Sequence, residues 1–201
     1  MRYAQIRSLD LSNGEGVGVA LFVQGCHFHC ENCFNPETWD FDGGKEWTEE
    51  VKNKFLELAN KSYIKRISIL GGEPLAKENL NDVLDLVNEF RLSSPHKSIW
   101  LYTGYTISTC KYLDDIIFTF HPSYYHPNPL NGEYIKVDDK AYFIKQDRKR
   151  VEIVKNIDVL IDGQYIESQR DISLPYRGSS NQRLIDIQKS LQKGEIALWQ
   201  T

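Results

Sequence analysis

The sequence predicts an α/β protein built on a largely parallel sheet, on three observations. Short apolar runs rich in β-branched residues recur along the chain, amphipathic stretches of helical period separate them, and each run stops at glycine or polar residues. Strands joined by helical crossovers lie parallel, because the crossover carries the chain back before the next strand begins.

Val17 to Val23 is the first such run and ends at Gln24-Gly25; its length and branched residues predict a buried strand. From Thr48 to Asn60 the spacing of Val51, Phe55, Leu56 and Leu58 predicts a helix with Thr48 as its N-cap. Arg66 to Leu70 predicts a second strand, stopped by Gly71-Gly72. Leu80, Val83, Leu84, Leu86, Val87 and Phe90 form one apolar stripe of a second helix, and Ser98 to Tyr102 a third strand ending at Thr103-Gly104. Ile157 to Ile161 predicts another strand, stopped by Asp162-Gly163. The glycine and polar residues thus gather past the carboxyl ends of the strands, where parallel α/β folds assemble their sites.

The rhythm breaks from about residue 116 to 150. His121-Pro122, His126-Pro127-Asn128-Pro129 and Asn131-Gly132 are turn signals, and Tyr134 to Ile144 alternates like a hairpin. This stretch reads as an insertion on a single domain spanning residues 1–201. Leu184 to Leu191 predicts a short helix, followed by an apolar end at Ile196 to Trp199. Trp39, Trp47 and Trp100 read as core packing.

With 41% hydrophobic residues, the 201-residue chain can bury one sizeable core. A formal net charge of -4 gives no general attraction to polyanions, so neither nucleic acid nor a membrane surface is an expected partner. The basic run Arg148-Lys149-Arg150 reads as a solvated face. Met1 to Gln5 lacks the apolar stretch of a signal peptide, and no apolar run reaches about eighteen residues, which predicts a cytoplasmic protein.

Three of the four cysteines lie at Cys26, Cys30 and Cys33, a C-x3-C-x2-C pattern on a loop after a strand. So tight a cluster reads as metal binding rather than a disulfide framework. Thiolates prefer soft partners, and three of them leave one iron of a four-iron cluster open to another ligand. Zinc is the other reading of these thiols, with its fourth ligand from Cys110, His27 or His29.

The cysteine pattern resembles the signature of the radical S-adenosylmethionine superfamily, and Gly71-Gly72-Glu73-Pro74 is similar to its GGEP motif. The resemblance implies a partial, open β/α barrel of the radical S-adenosylmethionine type, with a 4Fe-4S cluster on Cys26, Cys30 and Cys33. It also implies S-adenosylmethionine at the open iron, its ammonium group facing the carbonyls of Gly71, Gly72, Glu73 and Pro74. Superfamily members often carry an aromatic residue before the third cysteine to contact the adenine. Asn32 stands there in this chain, and a backbone contact around Asn32, Cys33 and Phe34 is implied instead. Thr103 and Gly104 join the cofactor candidates by their place at a strand end.

Further segments resemble the small activating subunits of anaerobic ribonucleoside-triphosphate reductases: Asn13-Gly14, Cys33-Phe34-Asn35 with Thr38-Trp39, Ile99 to Tyr105, Asp158 to Gly163 and Tyr176 to Arg183. Asn35 to Asp40 also resembles the activator of pyruvate formate-lyase, but Cys110 alone is spare, so no second cluster can form.

Membership of this group implies one-electron cleavage of S-adenosylmethionine to a 5'-deoxyadenosyl radical. The radical removes hydrogen from a glycine in the carboxyl-terminal loop of the large reductase subunit, and a flavodoxin or ferredoxin supplies the electron. A polypeptide substrate must enter the rim, and Asp162, Gly163, Tyr165, Arg177, Ser179 and Asn181 are its candidate contacts. Ser179, Ser180 or Asn181 also reads as the N-cap of the last helix. His27 and His29 either hydrogen-bond the cluster or stay solvated, and the insertion is either a docking surface or a passive loop.

Overall fold

The computed structural model describes residues 1–112, 115–122, 134–137, 141–144 and 147–200. Strands β1 (Arg2–Asp10), β2 (Gly18–Val23) and β3 (Lys45–Glu46) precede helix α1 (Glu49–Ala59). Then come β4 (Arg66–Gly71), α2 (Leu80–Ser93) and β5 (Ser98–Tyr102). Two antiparallel pairs follow: β6 (Tyr105–Tyr112) with β7 (Asp115–Pro122), and β8 (Tyr134–Val137) with β9 (Ala141–Ile144). Helix α3 (Asp147–Lys155), β10 (Val159–Asp162), β11 (Arg183–Asp186) and α4 (Ile187–Lys193) complete the order.

The main sheet has seven strands in the order β11-β10-β5-β4-β2-β1-β3 and does not close on itself. Its four central strands, β10, β5, β4 and β2, are parallel; β11, β1 and β3 add to the flanks antiparallel. Side chains alternate across the sheet, which separates two unlike faces. On one face Val19, Leu21, Ile67, Ile69, Ile99, Leu101 and Leu160 pack with Phe55, Val83, Phe90, Ile153 and Ile187 from the four helices. On the other face Ala20, Phe22 and Leu70 form one small cluster, and Trp100, Val159, Ile161 and Leu184 a second, with no helix residue in either. The helices therefore cover one side, and the opposite side is left to form the wall of a site.

Local signals explain the elements. The Thr48 hydroxyl accepts the Val51 N–H at 3.3 Å, closing the first turn of α1. Helix α2 buries Leu80, Val83, Leu86, Val87 and Phe90 on one stripe, each contributing about 1.5–3 kcal/mol against exposure. Below the helix-free face, Arg66 is fully buried and pairs with Asp10 at 2.8 Å while donating to Ser68.

Several expectations are corrected. Strands β1 and β3 lack the continuous apolar run of a central strand; β1 has half-buried and exposed residues and buries only Asp10 fully, as befits a flanking strand. Asn13-Gly14 therefore lies between two strands, not before the first. Leu184 and Ile185, expected in a helix, pair with Ile161 and Leu160 instead; the helix begins at Ile187, and its N-cap is Asp186, whose side chain accepts the Lys189 N–H at 2.9 Å. None of Ser179, Ser180 and Asn181 caps it.

The break in rhythm begins at Tyr105, and His121-Pro122 end β7 rather than forming a turn. His126 to Pro129 and Asn131-Gly132 lie outside the described residues, whereas the expected hairpin within Tyr134 to Ile144 is present as β8 and β9. Arg148 and Lys149 are exposed, but Arg150 is buried, donating to the Leu75 carbonyl at 2.9 Å and lying over the Tyr105 ring. No helix among the described residues is long and apolar enough to cross a membrane.

Candidate active site

The chain leaves β2 at Gly25 and turns into the cysteine loop, whose base is sewn shut by backbone bonds. Gly25 N–H donates to the Thr38 carbonyl at 2.8 Å, and Cys26 N–H to the Trp39 carbonyl at 3.0 Å. Within the loop His29 and Asn32 take left-handed backbone angles, φ 47° and 52°, which curl it tightly. Such angles are uncommon outside glycine, and asparagine and histidine tolerate them better than most.

The second motif is bonded to the first. Glu73 N–H donates to the Gly25 carbonyl at 2.7 Å and Gly72 N–H to the Val23 carbonyl at 2.8 Å. A side chain on Gly72 would put its Cβ 2.5 Å from the Gly25 oxygen, and Gly71 sits at φ +101°. Both glycines are required by geometry, one by close approach and one by backbone angle.

The buried Glu73 carboxylate accepts from the Thr103 hydroxyl at 2.7 Å, Gly104 N–H at 2.7 Å and Leu75 N–H at 2.9 Å. Asn79 donates to both the Gln24 and the Glu73 carbonyls at 3.0 Å. The ends of β2, β4 and β5 are thereby locked to one another.

These strand ends surround a cavity of about 570 Å³ on the helix-free face. Cys26, Cys30 and Cys33 line it together with Gly71, Gly72, Glu73, Thr103 and Gly104, above Phe22, Leu70 and Tyr102 from three adjacent strands. A space of this size accommodates an organic cofactor. A second hollow of about 510 Å³, bounded by Met1, Arg2, Phe41 and Trp47, holds none of the thiols; the first is the site because the candidate ligands converge there.

Burial, and next the charge of Glu73, push the Cys26 thiol up to about 12, against the N–H groups of Phe28 and His29. Burial likewise raises Cys30, opposed by the Gln164 side chain and the Tyr165 N–H. Buried thiols such as these ionise when a cation compensates their charge, as it does for metal ligands. Among the described residues no three His, Cys, Asp or Glu side chains are gathered tightly enough to share a single metal ion. A cluster asks for a different arrangement, in which each thiolate holds its own iron. Three thiols spread over one cavity wall fit that donor set. Cys26, Cys30 and Cys33 are the residues that could hold it.

The other predicted residues divide. Phe34, Gly163, Tyr165 and Arg177 line the cavity, whereas Asn32 is exposed and Pro74 buried, and neither reaches the lining. Asp162 does not face the cavity: fully buried, it pairs with Arg183 and accepts the Ile107 N–H at 2.8 Å. Ser179 is buried and accepts the Ile166 N–H at 3.3 Å, and Asn181 donates to the Gln164 carbonyl at 2.8 Å. These three brace the loops instead of lining the entrance.

The exposed side chain of His27 lies 3.2 Å from the Glu78 carboxylate, and His29 stacks on Trp39 with ring centres 4.7 Å apart. Trp39 is accordingly half-buried beside the loop, while Trp47 and Trp100 are in the core as expected. The sequence reading missed Arg7, Ser12, Ile172, Leu174 and Gln182 in the lining. Arg7 sits on the unanticipated β1, and the others lie on loops that no periodicity marks.

Fold and donor set together define an open α/β sheet protein whose carboxyl rim carries three thiols able to hold one iron-sulfur cluster. A family model described as a 4Fe-4S single cluster domain matches residues 12–119 and 136–185. An anaerobic ribonucleoside-triphosphate reductase-activating protein of Vibrio cholerae is 33% identical over 184 residues, 90% of this chain and 96% of the relative. The protein of that name in Escherichia coli K12 is 33% identical with the same coverage, and that of Enterobacteria phage T4 is 32% identical over 92% of this chain and 93% of its own. The chain belongs to the family of anaerobic ribonucleoside-triphosphate reductase-activating proteins.

Proposed function

We propose that this chain is a radical S-adenosylmethionine oxidoreductase that installs the glycyl radical on the large subunit of an anaerobic ribonucleoside-triphosphate reductase. The observation that carries the reading is the meeting of three thiols, the Gly71-Gly72 backbone and the Thr103-Gly104 strand end on one cavity. When bound, the cluster and S-adenosylmethionine supply reductive cleavage of a sulfonium and an adenosyl radical able to take hydrogen from a glycine α-carbon.

The residues of the chain bind, orient and exclude water. In this reading Cys26, Cys30 and Cys33 would hold the cluster, and three protein thiolates would leave room on it for S-adenosylmethionine. The carbonyls of Gly71 and Gly72 would accept from its ammonium group, and Phe22, Leu70 and Tyr102 provide a largely apolar floor. Gly163, Tyr165 and Arg177, with Ile172 and Tyr176, form the entrance for the polypeptide. The open sheet, with helices on one face and the cavity on the other, is read as a partial β/α barrel within a single domain of residues 1–201. A flavodoxin or ferredoxin of the cytoplasm is the proposed electron donor.

The test is electron paramagnetic resonance of the reconstituted, reduced protein mixed with S-adenosylmethionine and a reductase from the same cell. A persistent glycyl doublet that requires all components is expected. A zinc-loaded protein without broad visible absorption after anaerobic treatment with iron and sulfide overturns the reading.

A further inference from the structure

Two side chains that line the cavity carry a buried donor with nothing to donate to. The Tyr102 hydroxyl and the Arg177 Nε–H are sealed from solvent, and neither has a hydrogen-bond partner among the described residues. Burial raises the Tyr102 hydroxyl above its ordinary value, so it keeps its proton and donates at neutral pH. A buried polar group left unpaired destabilises a fold, and a surface built to receive a ligand is where such a group is tolerated.

The two donors share one part of the cavity. Tyr102 and Tyr176, the residue before Arg177, both pack on the cluster of Trp100, Val159, Ile161 and Leu184, and the Tyr176 ring meets Trp100 edge-on with centres 5.1 Å apart. Tyr176 is held at φ 59°, a left-handed backbone that a bulky aromatic residue rarely adopts. On the other side of Arg177, a Cβ at Gly178 would fall 2.5 Å from the Phe34 ring. The Gly178 carbonyl accepts the Asp171 N–H at 3.1 Å, and its own N–H donates to the Gln182 side chain at 3.0 Å. Arg177 is thus fixed on both flanks, and the strain at Tyr176 accompanies that placement.

We infer that Tyr102 and Arg177 form a pair of donors that grips main-chain carbonyl oxygens of the polypeptide beside its target glycine. Glycine has no side chain, so its recognition rests on main-chain groups, and of these only the carbonyl accepts. Arg177 shares the excursion between β10 and β11 with Leu174 and the exposed Ile172 at the mouth, whereas Tyr102 stands on the floor. The pair therefore spans the way in from mouth to floor. The cofactor candidates Gly71, Gly72, Thr103 and Gly104 lie at the strand ends beside the thiols instead. The inference deepens the reading of this cavity as the site of glycyl-radical formation and rests on it.

The test reconstitutes wild type, Tyr102→Phe and Arg177→Lys anaerobically and follows the glycyl doublet as the concentration of the large reductase subunit is varied. In both variants the subunit concentration giving half the maximal rate is expected to rise on the order of tenfold, about 1.4 kcal/mol. Tyr102→Phe removes only a hydroxyl that the free chain leaves unpaired, so its urea midpoint is expected to equal or exceed that of the wild type. A lower midpoint means that the hydroxyl already has a partner within the chain and overturns its assignment.

Wild-type half-saturation in either variant overturns the inference. So does a loss that falls on the concentration of S-adenosylmethionine required, which gives the donors to the cofactor. Should Tyr102→Phe fail to fold, Arg177→Lys, which keeps the charge and loses the fixed Nε–H, decides by the same half-saturation readouts. A wild type that forms no glycyl radical removes the prior reading together with this one, a result distinct from unchanged half-saturation.

Discussion

Glu73 accepts the Thr103 hydroxyl at 2.7 Å, and this bond joins the glycine motif after β4 to the end of β5. Its other oxygen takes the Gly104 N–H. Glu73→Ala leaves these buried donors without a partner, at a cost of about 1–3 kcal/mol. Burial raises the Glu73 carboxyl above its ordinary 4.5, although Gly104, Thr103 and Leu75 oppose the shift. The fold therefore favours the protonated form more than the unfolded chain does. The ionisation penalty of the wild type is present above the raised value and disappears as pH falls below 4.5. Urea denaturation should show the wild type gaining on Glu73→Ala as the solution is acidified; a difference that shrinks in acid contradicts this placement of charge.

Gly72 is the place where the two motifs touch. In Gly72→Ala the new Cβ meets the oxygen, carbon and nitrogen of Gly25 at 2.5–3.0 Å, and these are backbone atoms that cannot rotate aside. The Glu73 N–H to Gly25 carbonyl bond must open to relieve the contact. The expected result is a loss of about 1–3 kcal/mol in stability, together with weaker S-adenosylmethionine binding by calorimetry on the reconstituted protein. Wild-type affinity in this variant means that the rim adapts and the close approach is unimportant.

Stripping the metal should spare the fold. The main core is built from the sheet and four helices, and no residue between Gln24 and Glu46 belongs to it. This differs from small metal domains that unfold without their ion. Treatment with an iron chelator should abolish the visible absorption while leaving the far-ultraviolet circular dichroism of the wild type unchanged. Collapse of the helical signal on chelation would mean that the loop carries the core.

What the sequence disclosed follows from which signals are local. Strands β2, β4, β5 and β10 are buried along most of their length, so they read as short, largely apolar runs, interrupted in β4 by Arg66 and Ser68. The three thiols and the glycine pair were legible because their chemistry depends on spacing within one loop. Strand β1 was not, since its partners β2 and β3 rather than its own composition make it a strand. Leu184, Ile185 and Ile187 have spacing compatible with a helix, yet pairing of Arg183 to Asp162 and Leu184 to Ile161 draws the first part into the sheet. Asp162, Ser179 and Asn181 sit in the right segments but point into bracing bonds, and no sequence pattern distinguishes a lining side chain from the one behind it.

Ile172 is 84% exposed and still contributes to the lining of the cavity, which puts an apolar side chain at its mouth beside Leu174 and Tyr176. So exposed a residue carries little stability, and Ile172→Asp should unfold within about 0.5 kcal/mol of the wild type. In the proposed reading this mouth admits the glycine loop of a reductase, and a carboxylate there must be desolvated against the incoming chain. Affinity for the reductase should then fall by on the order of tenfold, about 1.4 kcal/mol. Methionine release by the reduced protein alone should be unchanged, because the thiols and the Gly71-Gly72 backbone are untouched. Equal affinity of Ile172→Asp and wild type for the reductase, measured by anaerobic calorimetry, would put the entrance on another side of the cavity.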